Sequence, residues 1–253
     1  MSSLTVTRSL ALALIAISTL CAQQPPAGAK PRGGMGGPRQ PVPDDTAGFE
    51  AIFDGKTLNN WDGDPVFWRA ENGAITGETT PDKPLKVNTF IIWRGGATKD
   101  FELKLDFKMT GGNSGVQYRS VNLADVGKYV LKGYQADMDA KAAFTGMLYE
   151  ERGRGFLAER GRVVRIAEGG ARKLIGTPGD GQELKNLLKL DDWNQLHIIA
   201  RGTTVIHVIN GRVFSICIDD DEKGRIPEGL LGLQLHVGEP MKVEFRNIMY
   251  KKL

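Results

Sequence analysis

Little in this chain could crosslink it or hold a transition metal. Two of its 253 residues are cysteine and three are histidine. Cys21 falls in an apolar leader-like stretch, so Cys217 stands alone and no intramolecular disulfide is expected, even in an oxidising compartment. Cys217 sits in the apolar run Val213–Ile218 and reads as a small buried hydrophobe. His197, His207 and His236 form neither a His-x-His nor an HExxH pair, so no catalytic metal is expected. His197 and His207 lie in apolar strand patterns and read as structural.

Excess charge is lacking too. Thirty-three Lys and Arg against thirty Asp and Glu leave a net +3, too little to argue for nucleic acid or an anionic membrane. There is no GxGxxG and no P-loop. Gly112-Asn113-Ser114-Gly115-Val116 departs from a GxSxG nucleophile elbow at its last position and reads as a turn feeding a strand. No cofactor is expected. Asp219-Asp220-Asp221-Glu222 lacks EF-hand spacing and reads as a solvated turn at a strand end; a structural calcium is the one metal left open.

At the N-terminus, Arg8 precedes an apolar stretch, Leu10–Leu20, that is too short to span a bilayer. Residues 1–22 are therefore expected to be a signal peptide, and the mature protein to be periplasmic or extracellular with no transmembrane span. Leu20 fits poorly before a lipidated cysteine, so anchoring through Cys21 is the less favoured route. Residues 23–47, rich in Pro and Gly and without periodicity, read as a linker, and one folded domain is expected over 48–253.

Helical periodicity is nearly absent; the single short candidate is Gln182–Leu188. Strand patterns abound. Phe101–Met109 alternates without a break, as a strand with one dry and one wet face does. Asn210-Gly211 between two apolar runs signals a type I′ hairpin, because both central residues need positive φ. Val163–Ile166 reads as a strand, and Val243-Glu244-Phe245 with Ile248-Met249-Tyr250 as a closing strand. Many short strands with turn signals predict an all-β, two-sheet antiparallel sandwich or jelly roll.

Three segments carry polar residues two apart within apolar frames: Val116-Gln117-Tyr118-Arg119, Tyr134-Gln135-Ala136-Asp137-Met138-Asp139 and Leu233-Gln234-Leu235-His236-Val237. Alternate side chains of a strand point to opposite faces. Gln117 with Arg119, Gln135 with Asp137 and Asp139, and Gln234 with His236 would then share faces. If the strands lie in one sheet, they make a polar floor suited to a sugar. Paired carboxylates serve glycoside cleavage when they stand roughly 5–10 Å apart, and residues two apart on a strand satisfy that. Asp137, framed by Ala136 and Met138, is the favoured catalytic carboxylate, with Glu150 as another. His236 could be acid or base, and Arg119 could orient Asp137 or stabilise developing oxyanion charge. Trp61 is the indole placed best to reach a cleft.

Several motifs carry a family resemblance. Phe53-Asp54-Gly55-Lys56-Thr57-Leu58-Asn59-Asn60-Trp61, Gly112–Ser120, Gly133–Asp137, Thr145–Glu150, Asp191-Asp192-Trp193-Asn194 and the ending Gly232–His236 with Val243–Ile248 resemble signature segments of the 3-keto-disaccharide hydrolase domain family. The resemblance covers about residues 49–253. It implies a concanavalin A-like lectin/glucanase jelly roll in an exported bacterial protein acting on carbohydrates. Some such proteins cleave 3-keto-glycosides by removing the C2 proton, expelling the C1 substituent and adding water. It implies Asp137 or His236 as base or acid, with Arg119, Gln117, Gln135 and Gln234 positioning the keto sugar. The residues themselves keep Glu150 as a further catalytic candidate and Tyr134, Tyr149, Asp139 and Trp61 as candidates against the sugar. A non-catalytic carbohydrate-binding module is the competing reading. Where family members carry Asp-His-Gly this chain has Leu235-His236-Val237-Gly238, so an acidic partner for His236 is missing. The basic, Gly-rich insert Arg152–Phe156 is expected to form a loop at the site.

Overall fold

In the computed structural model, residues 46–253 are described; the expected signal peptide, nearly all of the expected linker and Cys21 lie outside them. The described chain holds seventeen strands and one short helix. In chain order the strands are β1 (Glu50–Ala51), β2 (Trp61–Asp62), β3 (Trp68–Glu71), β4 (Ala74–Thr79), β5 (Thr89–Thr98), β6 (Phe101–Thr110), β7 (Asn113–Asn122), β8 (Leu131–Asp139) and β9 (Leu148–Glu151). They continue as β10 (Gly155–Ala158), β11 (Arg162–Ile166), β12 (Arg172–Gly176), the helix α1 (Gly181–Lys185), β13 (Asn194–Arg201), β14 (Thr204–Ile209), β15 (Arg212–Asp219), β16 (Gly229–Leu235) and β17 (Met241–Lys252).

Two sheets form a jelly-roll sandwich. One runs β12-β11-β15-β14-β13-β6-β17-β4-β3, with β1 on β17; the other runs β10-β9-β8-β7-β16-β5-β2. Pairing is antiparallel except between β11 and β15, which run parallel. The core lies between the sheets and follows the alternation of the sequence. Phe101, Leu103, Leu105, Phe107 and Met109 of β6 are buried, as are Val116 and Tyr118 of β7 and Tyr134, Ala136 and Met138 of β8. Phe107 pairs across the ladder with Phe245. Between Phe245 and Ile248 the apolar period slips by one residue. A bulge at Asn247, whose φ is 52°, absorbs the slip and returns Ile248 to the core.

The Asn210-Gly211 hairpin adopts positive φ at both residues, 49° and 78°. The helix is shorter than its pattern. Asp180 caps it by accepting from the backbone N–H groups of Gln182 and Glu183, and Leu184 anchors it. Beyond Lys185 the chain closes in i→i+3 turns, Leu187 N–H to Leu184 O and Leu188 N–H to Lys185 O, so residues 186–188 are not α-helical. His207, fully buried, links the sheets: Tyr118 Oη lies 2.8 Å from its Nε2 and Ser215 Oγ 3.4 Å from its Nδ1. Burial pushes its pKa down to about 4, so it is neutral in the core.

Candidate functional site

Strands β8, β7 and β16 are neighbours, and their register assembles the polar side chains across three chains. Gln117 stands opposite Gln135, Gly115 opposite Asp137, and Gly232 opposite Gln117 on the other side. Gln135 in turn faces Tyr149 on β9, and Tyr149 faces Phe156 on β10. One row therefore crosses the outer face of the seven-stranded sheet as Gly232, Gln117, Gln135, Tyr149 and Phe156. Gly115 matters here because the Gln135 side chain lies over it; a Cβ at that position would come within 2.4 Å of Gln135 Cγ.

The connection between β7 and β8 crosses this face. Tyr129 O accepts from Phe90 N on β5, Tyr129 packs on Phe90 and Ile92, and the Leu131 side chain sits over Gly232. Gln117, Gln135 and Gln234 are buried. Four of their amide atoms have no partner: Gln117 Oε1, Gln135 Oε1, and both Oε1 and Nε2 of Gln234. Leaving a buried polar atom unsatisfied costs roughly 1–3 kcal/mol, so a fold with four on one face retains them against a stability gradient.

Asp137 is the acid beside the glutamine amides. It is 5% exposed, accepts from Asn113 Nδ2 at 2.9 Å and has Gln135 Nε2 at 3.5 Å. Burial pushes its pKa up to about 7, and the charge of Asp139 adds to the rise against the hydrogen bonds of Asn113 and Gln135. A carboxyl poised near neutrality is suited to proton transfer. Tyr149 is half-buried beside it. Burial, with the charges of Glu151 and Asp137, raises its phenol above the usual range and keeps it protonated. His236 is half-buried just past the end of β16, and its Nδ1 lies 2.6 Å from Val237 O. That contact directs the Nδ1 proton to the carbonyl and leaves Nε2 as the second functional nitrogen.

Other expected members are placed elsewhere. Arg119 does not follow Gln117 onto the floor. β-Bulges interrupt both ladders of β7 here, and φ of 46° at Arg119 turns its side chain away. Its guanidinium is 3% exposed and donates to Lys99 O, Gly202 O and Asp100 Oδ1, clamping two turns. Glu150 faces the interior, as alternation along β9 requires when Tyr149 faces the floor. It accepts from Arg154 Nε at 2.6 Å. Arg154 also reaches Asp219 and Asp221, and Tyr134 donates to Asp219 Oδ2 at 2.5 Å. Tyr134 is thus a core residue. Asp219 and Asp221, expected in a solvated turn, are buried on Arg154. The insert Arg152–Phe156 makes the β9–β10 turn and the first two residues of β10, with Arg154 directed inward. Asp139 accepts from the backbone N–H groups of Lys141, Ala143, Phe144 and Thr145, so its carboxylate organises a loop. Trp61 is buried, donating from Nε1 to Ile52 O opposite Trp93.

Three residues were missed from the sequence. Asn113 holds Asp137. Glu151 shares the floor face with Tyr149 and accepts from Asn88 Nδ2 at 3.1 Å, while Asn88 Oδ1 accepts from Val237 N. Alternation along β9 puts Glu151 on the face of Tyr149 once the pairing of Tyr149 with Gln135 is known; no signal was available for Asn88. Among the described residues, no group of three or more His, Cys, Asp and Glu is arranged to hold a metal ion.

The sandwich is a jelly-roll β-domain whose seven-stranded sheet carries buried amides. The chain belongs to the 3-keto-α-glucoside-1,2-lyase-like domain family, whose sequence model matches residues 48–251. No curated protein is significantly similar in sequence. Two proteins of Parabacteroides distasonis, provisionally described as glycosyl hydrolases, have similar structures. One superimposes with a TM-score of 0.54 at 19% identity over 81% of this chain and 99% of its own. The other has the same TM-score at 20% identity over 81% and 94%. The carbohydrate-binding module CBM66 from Bacillus subtilis superimposes with a TM-score of 0.50 at 17% identity over 76% and 96%. At these identities the likeness is one of fold.

Proposed function

We propose that this protein is an exported enzyme that cleaves 3-keto-glycosides, with Asp137 as the base. The observation that carries the reading is the Asp137 carboxyl, buried and poised near neutrality, beside buried glutamine amides that lack partners. A ketone at C3 acidifies the hydrogen on C2. The Asp137 carboxylate takes that proton, the C2–H electrons form the enolate, and the enolate re-forms the ketone as the C1–O bond breaks. The leaving oxygen takes a proton from Tyr149, protonated and half-buried beside Asp137, or from His236. The product is a 1,2-unsaturated 3-ketone. Addition of water at C1 completes a net hydrolysis, and its absence makes the reaction a lyase step. Gln135 Nε2, 3.5 Å from Asp137 Oδ1, is an amide donor beside the base, near where charge develops on the enolate oxygen.

The test is aglycone release from a 3-keto-glucoside and from its unoxidised parent, with the wild type and Asp137→Asn. Release from the keto substrate alone, lost in the variant, is expected. Release from the parent at an equal rate would overturn elimination, because without the ketone C2–H is not acidic. No release from either sugar, with glycoside binding retained, would make the floor a binding module.

A further inference from the structure

The amide row does not end at the polar centre; it runs into aromatic side chains at the edge of the sheet. Tyr149, directly across from Gln135, meets Phe156 edge-on with ring centroids 5.0 Å apart. Phe144, from the loop between β8 and β9, stacks on Phe156 at 5.5 Å with the planes 24° apart. Phe144 is 42% exposed, and Tyr149 and Phe156 are half-buried, so the step is open on one side. It is held rigidly. Asp139 fixes the backbone of Phe144 by accepting its N–H at 2.7 Å, and Arg160 donates to the carbonyls of Ala143 and Thr145 on either side.

We propose that Phe144, Phe156 and Tyr149 form the subsite for the leaving group and that the preferred substrates carry a planar aromatic aglycone. This rests on the reading of the floor as a glycoside site. Hydroxyl-rich rings satisfy amides, and the unpartnered amides lie at the centre, under Gln135 and Gln234. The next position along the row, beyond Tyr149, is Phe156, whose ring offers a face and edges and no hydrogen-bonding group. A planar apolar group joined to the sugar through one oxygen would meet Tyr149 at that oxygen and Phe156 with Phe144 at its rings. Aromatic contact of this kind favours a phenyl over a methyl aglycone by roughly tenfold in affinity.

Phenyl and methyl α-glucosides, which lack the ketone and do not eliminate, are the probes, titrated calorimetrically into the full chain. The phenyl compound is expected to bind about tenfold more tightly in the wild type, and the ratio to fall to near one in Phe144→Ala and Phe156→Leu. General damage to the fold would weaken both probes together and keep the ratio. Equal affinity of the two probes in the wild type, a preference that survives both substitutions, or no binding of either probe would overturn the subsite. Failure of the keto-glucoside assay with the ratio intact would remove catalysis and leave the subsite standing.

Discussion

Replacing Asp137 by Asn is expected to stabilise the protein above neutral pH. In the folded state burial lifts the Asp137 pKa from 3.8 to about 7. The unfolded chain ionises this group near 3.8, so between 3.8 and 7 the folded state holds a proton that the unfolded state has released. Stability from this group is present in acid and is lost as pH rises through 7. Above 7 the loss is complete, and a shift of about 3 units corresponds to at most about 4 kcal/mol at 1.36 kcal/mol per unit. Asn keeps the shape and still accepts from Asn113 Nδ2, but never ionises. The melting temperature of Asp137→Asn should therefore exceed that of the wild type by roughly 10 °C at pH 8 for a domain of this size, and match it within a degree or two near pH 4. His207 titrates with the opposite sign. Its folded pKa near 4 lies below the ordinary 6.5, so its neutral burial costs stability as pH falls from 6.5 to 4. That contribution is common to both proteins and cancels in the difference. Thermal unfolding by circular dichroism from pH 4 to 9 reads the effect. A difference in melting temperature that does not change with pH, or a variant less stable than the wild type at pH 8, would refute the assignment of a buried, raised carboxyl.

Two further outcomes are expected. Gln234→Met removes two unpartnered amide atoms at nearly constant volume and should raise stability by about 1–3 kcal/mol in urea unfolding while weakening glycoside binding; lower stability would mean that the amide is satisfied in solution. Arg119→Met deletes the donors to Lys99 O, Gly202 O and Asp100 and should cost about 3 kcal/mol, with KM on a 3-keto-glucoside altered less than twofold for the folded fraction. A large change in KM at full stability would return Arg119 to the site.

The strands that build the floor were legible because their chemistry is periodic. Gln117, Gln135, Asp137 and Gln234 alternate with Val116, Tyr118, Tyr134, Ala136, Met138, Leu233 and Leu235, and a strand turns alternation into two faces. The same rule misplaced Arg119, because a bulge breaks the period and nothing in Tyr118-Arg119-Ser120 announces one. Glu150 and Glu151 are adjacent acids, and only the pairing of Tyr149 with Gln135 decides which of them faces the floor. Asp139 has the right parity, yet the N–H groups of the next turn compete for its carboxylate.

By itself the sequence determined the all-β character, the hairpin at Asn210-Gly211 and the family, because these rest on local backbone preference, periodicity and motif. Tertiary structure alone decided which acids are buried with Arg154 and which stand with the amides. It also decided that Gln117 and Gln234 are buried and that Asp137 is poised near neutrality. Those properties depend on desolvation by residues distant in sequence, and the electrostatic work of burying a charge is set by what surrounds it, not by its neighbours along the chain.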